Sequence, residues 1–123
     1  MAHILIVEDS PTNMMLSVDI LESAGHTVLQ ASRAKAGIEL AQHESLDLIL
    51  MDIQLPDMDG MAATRILKAS PQTRDIPVIA LTASAMKGDR ERIMEAGFDG
   101  YIEKPIRYKD FLSEVAAITR RPT

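Results

Sequence analysis

Two periodicities alternate along the chain. Short continuous apolar runs are followed by longer stretches in which apolar residues return every three or four positions. His3 to Val7 is the first run. Ser10-Pro11 then opens a helix: Ser10 can cap it, and Pro11 suits the first helical position because it lacks an amide hydrogen. Met14, Leu16, Val18, Ile20, Leu21 and Ala24 supply the helical spacing until Gly25 offers a stop. Thr27 to Ala31 predicts a second strand, Ser32 the cap of the next helix, and Ala34, Ile38 and Ala41 its apolar stripe.

Leu46 to Met51 is apolar at nearly every position despite Asp47, the pattern of a central parallel strand covered on both faces. A turn rich in Pro, Asp and Gly leads to a helix over residues 61–68, with Ile66 and Leu67 on its apolar side. Pro77 to Leu81 predicts strand four, with Pro77 at the first position, where no ladder bond is lost. Asp89 to Ala96 predicts helix four, Gly97 to Gly100 a turn, and Tyr101-Ile102 strand five. Tyr108 to Ile118, with Phe111, Leu112, Val115 and Ile118, closes the chain with a fifth helix. Gly88 lowers helix propensity, so helix four is expected to start late, with modest mobility around residues 84–90. Met14, Met15, Met86 and Met94 stand at helical spacing, and core packing is their expected role.

Five strand and helix units in alternation predict an α/β fold: a doubly wound (βα)5 sandwich with a parallel sheet of order 2-1-3-4-5. The length, 123 residues, suits one domain spanning 1–123, and 46% hydrophobic with 25% charged residues excludes a disordered chain. The absence of Cys excludes disulfides and thiolate chemistry. No apolar run reaches membrane-spanning length, and acidic residues follow the first apolar stretch at once, unlike a signal peptide, so a cytoplasmic location is expected. The net charge of −5 is uneven: residues 1–60 carry 2 basic against 10 acidic side chains, residues 61–123 carry 11 against 8. Such an acidic half argues against direct nucleic-acid binding, and Arg120-Arg121 alone makes a poor DNA-binding tail.

The predicted strand order brings the chemistry together. Glu8 and Asp9 end strand one and Asp52 ends strand three; neighbouring strands would bring their carboxylates into one crevice although 43 positions separate Asp9 from Asp52. Three such carboxylates repel unless a cation joins them, and all-oxygen ligands favour Mg²⁺, with Mn²⁺ as a substitute. Thr82 closes strand four with a hydroxyl donor, Ala83 leaves its backbone amide approachable, and Lys104 after strand five offers a mobile ammonium. This set suits Asp52 as a nucleophile toward phosphorus, with Thr82 and Lys104 stabilising the equatorial oxygens. Whether the Lys104-Pro105 peptide is cis is left open.

The segments ILIVED at 4–9, DLILMDIQLPDMDG at 47–60, IPVIALTA at 76–83 and YIEKP at 101–105 together resemble the receiver domain of two-component response regulators, over nearly the whole chain. NMMLSVDILESAG at 13–25 with TASAMKGD at 82–89 is similar, more narrowly, to stand-alone DivK-type regulators and hybrid-kinase receivers. The resemblance implies a flavodoxin-like receiver fold, Asp52 as phosphoacceptor, and Glu8, Asp9, Asp52 and the Gln54 carbonyl as Mg²⁺ ligands. It also implies Thr82 and Tyr101 as switch residues and Lys104 as the family's lysine. Its donor would be a histidine kinase or histidine phosphotransfer protein. Output would pass to a downstream protein or through a phosphorylation-dependent dimer, without membrane insertion. Gln54 and Ser84 flank the site and could tune water access.

Three rival functions are weaker, one of them a phosphorylation-independent adaptor, which survives only if Asp52 takes up no phosphate. A hydrolase acting on a diffusible phosphate ester would want a second acid, and the turn placement of Asp57 and Asp59 suggests structural or solvated roles for both. A flavin carrier would need stacking groups, which 3% aromatic content without Trp does not supply. The activity that the resemblance implies is phosphotransfer and slow self-dephosphorylation, without conventional turnover.

Overall fold

The computed structural model describes residues 2–83 and 86–119. Met1, Ser84, Ala85 and residues 120–123, including Arg120 and Arg121, lie outside the described residues, as does part of the segment expected to be mobile. The order is β1 (His3–Val7), α1 (Pro11–Ser23), β2 (Thr27–Ala31), α2 (Ala34–His43), β3 (Leu48–Asp52), α3 (Gly60–Ala69), β4 (Val78–Thr82), α4 (Lys87–Glu95), β5 (Gly100–Glu103) and α5 (Tyr108–Thr119). The five strands form one parallel sheet of order β2-β1-β3-β4-β5.

Alternation along the strands divides the core in two. Leu5, Val7, Ile49, Met51, Val78 and Ala80 face the side covered by α2, α3 and α4, where Ile38, Leu67 and Ile93 pack. Ile4, Ile6, Leu48, Leu50, Ile79 and Leu81 face α1 and α5, where Leu21, Phe111 and Val115 pack. All five residues of β3 are buried, as the uninterrupted apolar run requires of a strand with helices on both sides. Burial of one such side chain is worth about 1.5–3 kcal/mol, so the central strands hold the sheet and leave only its carboxyl edge for polar groups.

Several local expectations change. Ser10 does cap α1, accepting from the Asn13 amide at 3.3 Å, and Pro11 takes the first helical position. Ser32 does not cap α2. The cap position is Arg33, which gives no side-chain bond; the carboxylate of Asp57 instead accepts from the Ala34 and Lys35 amides at 2.8 and 3.0 Å. Leu16 is 43% exposed, because it lies about 200° around the helix from Met14, while polar Ser17 takes a buried position. Ile66 is likewise exposed and Thr64 buried on α3. Of the four methionines expected in the core, Met14 is buried, but Met15 and Met94 are exposed on helix arcs turned from the sheet, and Met86 is exposed at the extended cap position before α4.

Strand boundaries also shift. β3 starts at Leu48, after Asp47 accepts from the His3 amide at 2.8 Å, and extends onto Asp52, which pairs with Leu81. β4 starts at Val78, although the Pro77 carbonyl still accepts from Ile49. α4 begins at Lys87 and includes Gly88, two residues earlier than the sequence suggests. The Lys104-Pro105 peptide is cis.

Candidate functional site

The four adjacent strands β1, β3, β4 and β5 each deliver a polar group at or just past the carboxyl end. The ladder continues past β1 through the Glu8 amide, which donates to the Ala31 carbonyl at 3.0 Å, so Glu8 leaves the sheet with its side chain turned into the cleft. Asp52 is the last residue of β3, Thr82 the last of β4, and Lys104 directly follows β5, its amide donating to the Thr82 carbonyl at 2.7 Å. Parallel pairing places these ends side by side, and they line an open cleft of about 800 Å³.

The centre of the cleft is an ion triad. Lys104 Nζ donates to Glu8 Oε1 at 2.8 Å and to Asp52 Oδ2 at 2.9 Å. Glu8 is 1% exposed and Asp52 5%, whereas Asp9 is exposed. Carboxylate oxygens of Glu8, Asp9 and Asp52 lie within 4.8 Å of one another. The remaining oxygens are held by the backbone: Glu8 Oε2 accepts from the Ser10 amide at 3.3 Å, and Asp52 Oδ1 accepts from the Gln54 amide at 3.0 Å.

Burial first, and then a hydrogen bond with Asp52, push the Glu8 carboxyl up to about 7 against the opposing pull of Lys104. For Lys104 burial acts downward, yet its hydrogen bonds to Glu8 and Asp52 hold the ammonium above its ordinary value. One ammonium therefore balances two buried carboxylates while Asp9 adds a third, so the cleft carries excess negative charge. An all-oxygen donor set with that excess fits a hard divalent cation.

The structure brings Glu8, Asp9, Asp52, Gln54, Thr82, Ala83 and Lys104 into the lining of this one cleft. It leaves Tyr101 out. Tyr101 is half-buried on β5, with the Arg90 guanidinium 5.8 Å from its ring centroid, and lines a separate concavity with Arg107 and Asp110. Sequence reasoning missed the contribution of α4, where Asp89, Arg92 and Ile93 reach the cleft; the Asp89–Arg92 pair at i,i+3 is the only trace of it in the sequence. It also missed what Asp57 does, because the amides that Asp57 receives lie over twenty positions earlier. Asp59 caps α3, accepting from the Met61 amide at 2.8 Å, so both turn carboxylates have structural work.

A β2-β1-β3-β4-β5 parallel sheet with an acidic triad and a lysine at its carboxyl edge defines a class of α/β domain that gathers its polar site at one end of the sheet. Residues 4–116 match the response regulator receiver domain, and the chain belongs to that family. The polar-differentiation response regulator DivK of Brucella anthropi is 44% identical over 112 residues, covering 91% of each chain. The receiver domain of a sensor histidine kinase from Pseudomonas aeruginosa superposes with a TM-score of 0.91 at 35% identity, covering 98% of both chains, and was solved with a magnesium ion coordinated in its active-site cleft. The Mn²⁺-bound form of response regulator Rcp1 has a TM-score of 0.80 at 26% identity, covering 100% of this chain and 98% of its own. Among the described residues no helix is long and apolar enough to cross a membrane.

Proposed function

We propose that residues 1–123 act as one phosphorylation-controlled receiver, which takes a phosphoryl group from phosphohistidine on a histidine kinase or histidine phosphotransfer protein. A carboxylate oxygen of Asp52 bonds to phosphorus as the P–N bond of the donor breaks, and the electron pair of that bond stays on the imidazole nitrogen. Asp52 needs no base, because an ionised carboxylate is already the nucleophile. Later attack of water on phosphorus releases orthophosphate and restores the carboxylate.

Glu8, Asp9, Asp52 and the Gln54 carbonyl would hold Mg²⁺, or Mn²⁺ in its place. When bound, the cation supplies neutralisation of the charge on the phosphoryl oxygens. Lys104 orients Asp52 and meets one equatorial oxygen; the Thr82 hydroxyl and the Ala83 amide meet the others. Thr82 drawn toward the phosphoryl group, with Tyr101 repacking beside it, shifts the population between two packings of the face that a downstream protein or a second copy reads. Neither direct nucleic-acid contact nor membrane insertion belongs to this reading.

The observation that supports it most is Lys104 Nζ bridging Glu8 and Asp52 at 2.8 and 2.9 Å beside a third carboxylate. The test is labelling by acetyl phosphate with and without Mg²⁺. The parent is expected to take up about one alkali-labile phosphoryl group per chain, and Asp52→Asn none. Undiminished label on Asp52→Asn would move the acceptor elsewhere.

A further inference from the structure

The loop between β3 and α3, residues 53–59, carries Gln54 and is built as a closed unit. Its base is pinned by the Gly60 amide, which donates to the Ile53 carbonyl at 2.8 Å, and by the bridge between Gln54 and Asp59. Its start is pinned by the Gln54 amide on Asp52 Oδ1. The far side of the loop has one polar anchor among the described residues, Asp57, whose two carboxylate oxygens take the Ala34 and Lys35 amides at the start of α2. Those amides receive no local cap, since Arg33 supplies no side-chain bond. Two backbone donors hold the Asp57 carboxyl below the usual carboxylate range, Lys35 more strongly than Ala34.

The other end of this connection also reaches the site. α2 packs closely on β1: a Cβ on Gly37 would lie 2.6 Å from Val7 Cγ2, and Val7 immediately precedes Glu8. α2 is thus a rigid strut between the strand that presents Glu8 and the loop that presents Gln54, and Asp57 is its coupling to the loop.

We infer that Asp57 is a positioning residue for the phosphoacceptor cleft: by capping α2 across the loop, it holds residues 53–58 where Gln54 can face the acidic triad. The inference rests on the receiver reading for its consequence in cation binding, but its structural half does not. Outer-shell partners of a metal ligand typically change affinity by about 10–100-fold. Asp57 acts one step further out, through backbone, and a loss of about 3–10-fold is expected.

The experiment compares the parent, Asp57→Ala, Asp57→Asn and Ile38→Val, a variant that loosens the core face of α2 and leaves its cap intact. Mg²⁺ affinity is measured by calorimetry under conditions where every variant is folded, and exchange of the Gln54 amide is measured by NMR without metal. Asp57→Ala is expected to weaken Mg²⁺ by about 3–10-fold and to speed Gln54 exchange by a similar factor. Asp57→Asn, which keeps one acceptor oxygen, should recover part of both, and Ile38→Val should change neither. Gln54 exchange unchanged in Asp57→Ala, Mg²⁺ affinity within twofold of a Mg²⁺-binding parent, or equal losses in Ile38→Val, would each overturn the positioning role. A parent that binds no Mg²⁺ would reject the metal reading of the cleft, and Gln54 exchange would then decide the positioning role alone.

Discussion

Gly60 sits where α3 meets the end of β3, the strand that carries Asp52, and replacing it with alanine is a direct test of how tightly that junction is built. A Cβ at position 60 would lie 2.2 Å from the Asp52 carbonyl oxygen, 2.8 Å from Ile53 Cα and 3.0 Å from the Asp52 carbonyl carbon. All three are backbone atoms and cannot rotate away. Ordinary contact needs 3.4 Å or more, so the start of α3 must retreat by about 1 Å, stretching the 2.8 Å bond from the Gly60 amide to the Ile53 carbonyl. Overpacking of this kind costs about 1–3 kcal/mol. The opposing gain in helix propensity is at most about 1 kcal/mol in a helix interior and smaller at a first helical residue. Sterics therefore win. Gly88 provides the internal comparison: it too stands near a helix start, but nothing lies within 4 Å of its would-be Cβ. Gly88→Ala should stabilise by roughly 0.5 kcal/mol. In urea denaturation followed by circular dichroism, the two alanine variants should move in opposite directions. Because the added Cβ presses on the carbonyl of Asp52 itself, labelling of Gly60→Ala by acetyl phosphate should also slow, by about 10–100-fold. A Gly60→Ala protein as stable as the parent, or a shift of the same sign in both variants, would refute the argument.

The pH dependence of stability separates a buried group from a half-buried one. With its folded value near 7 against an ordinary 4.5, Glu8 binds more proton in the folded state between those values, so metal-free stability should rise as pH falls from about 8 to about 6, by at most about 1.4 kcal/mol per unit. Glu8→Gln should remove that slope in urea titrations, and an unchanged slope would reject the assignment. His26 acts in the opposite sense: its Nδ1 accepts from the Ala2 amide at 3.2 Å, and burial holds it below its ordinary value of 6.5. Its contribution is present above that value and lost as pH falls through the lower folded value. The difference between His26→Gln and the parent should therefore shrink on acidification; a difference that does not change with pH would exclude His26 as its source.

Much of the site was legible because strand ends are legible. An apolar run that stops at a carboxylate announces both the strand and the group it presents, as at Val7-Glu8 and Met51-Asp52; parallel order then brings Asp9 and Asp52 together across 43 positions. The same logic reached Thr82 and Lys104, and the resemblance reached Gln54. Helix faces were less legible. Met15, Leu16, Ile66 and Met94 are apolar yet exposed, while Ser17 and Thr64 are buried, because which arc of a helix meets the sheet depends on the whole layer packed against it. Only part of a folded surface can be polar, so an exposed Leu or Met carries no local mark.

The chain by itself therefore determined the α/β alternation, the parallel sheet and the carboxylate, hydroxyl and ammonium groups at its carboxyl edge, since these follow from local periodicity and from where each period ends. Tertiary structure decided how those groups pair. That Lys104 bridges Glu8 and Asp52, that burial lifts the Glu8 carboxyl, and that Asp57 rather than Ser32 caps α2 all depend on distances between segments far apart in the chain. No local pattern encodes them, because a hydrogen bond reads separation in space while a sequence motif records separation along the backbone.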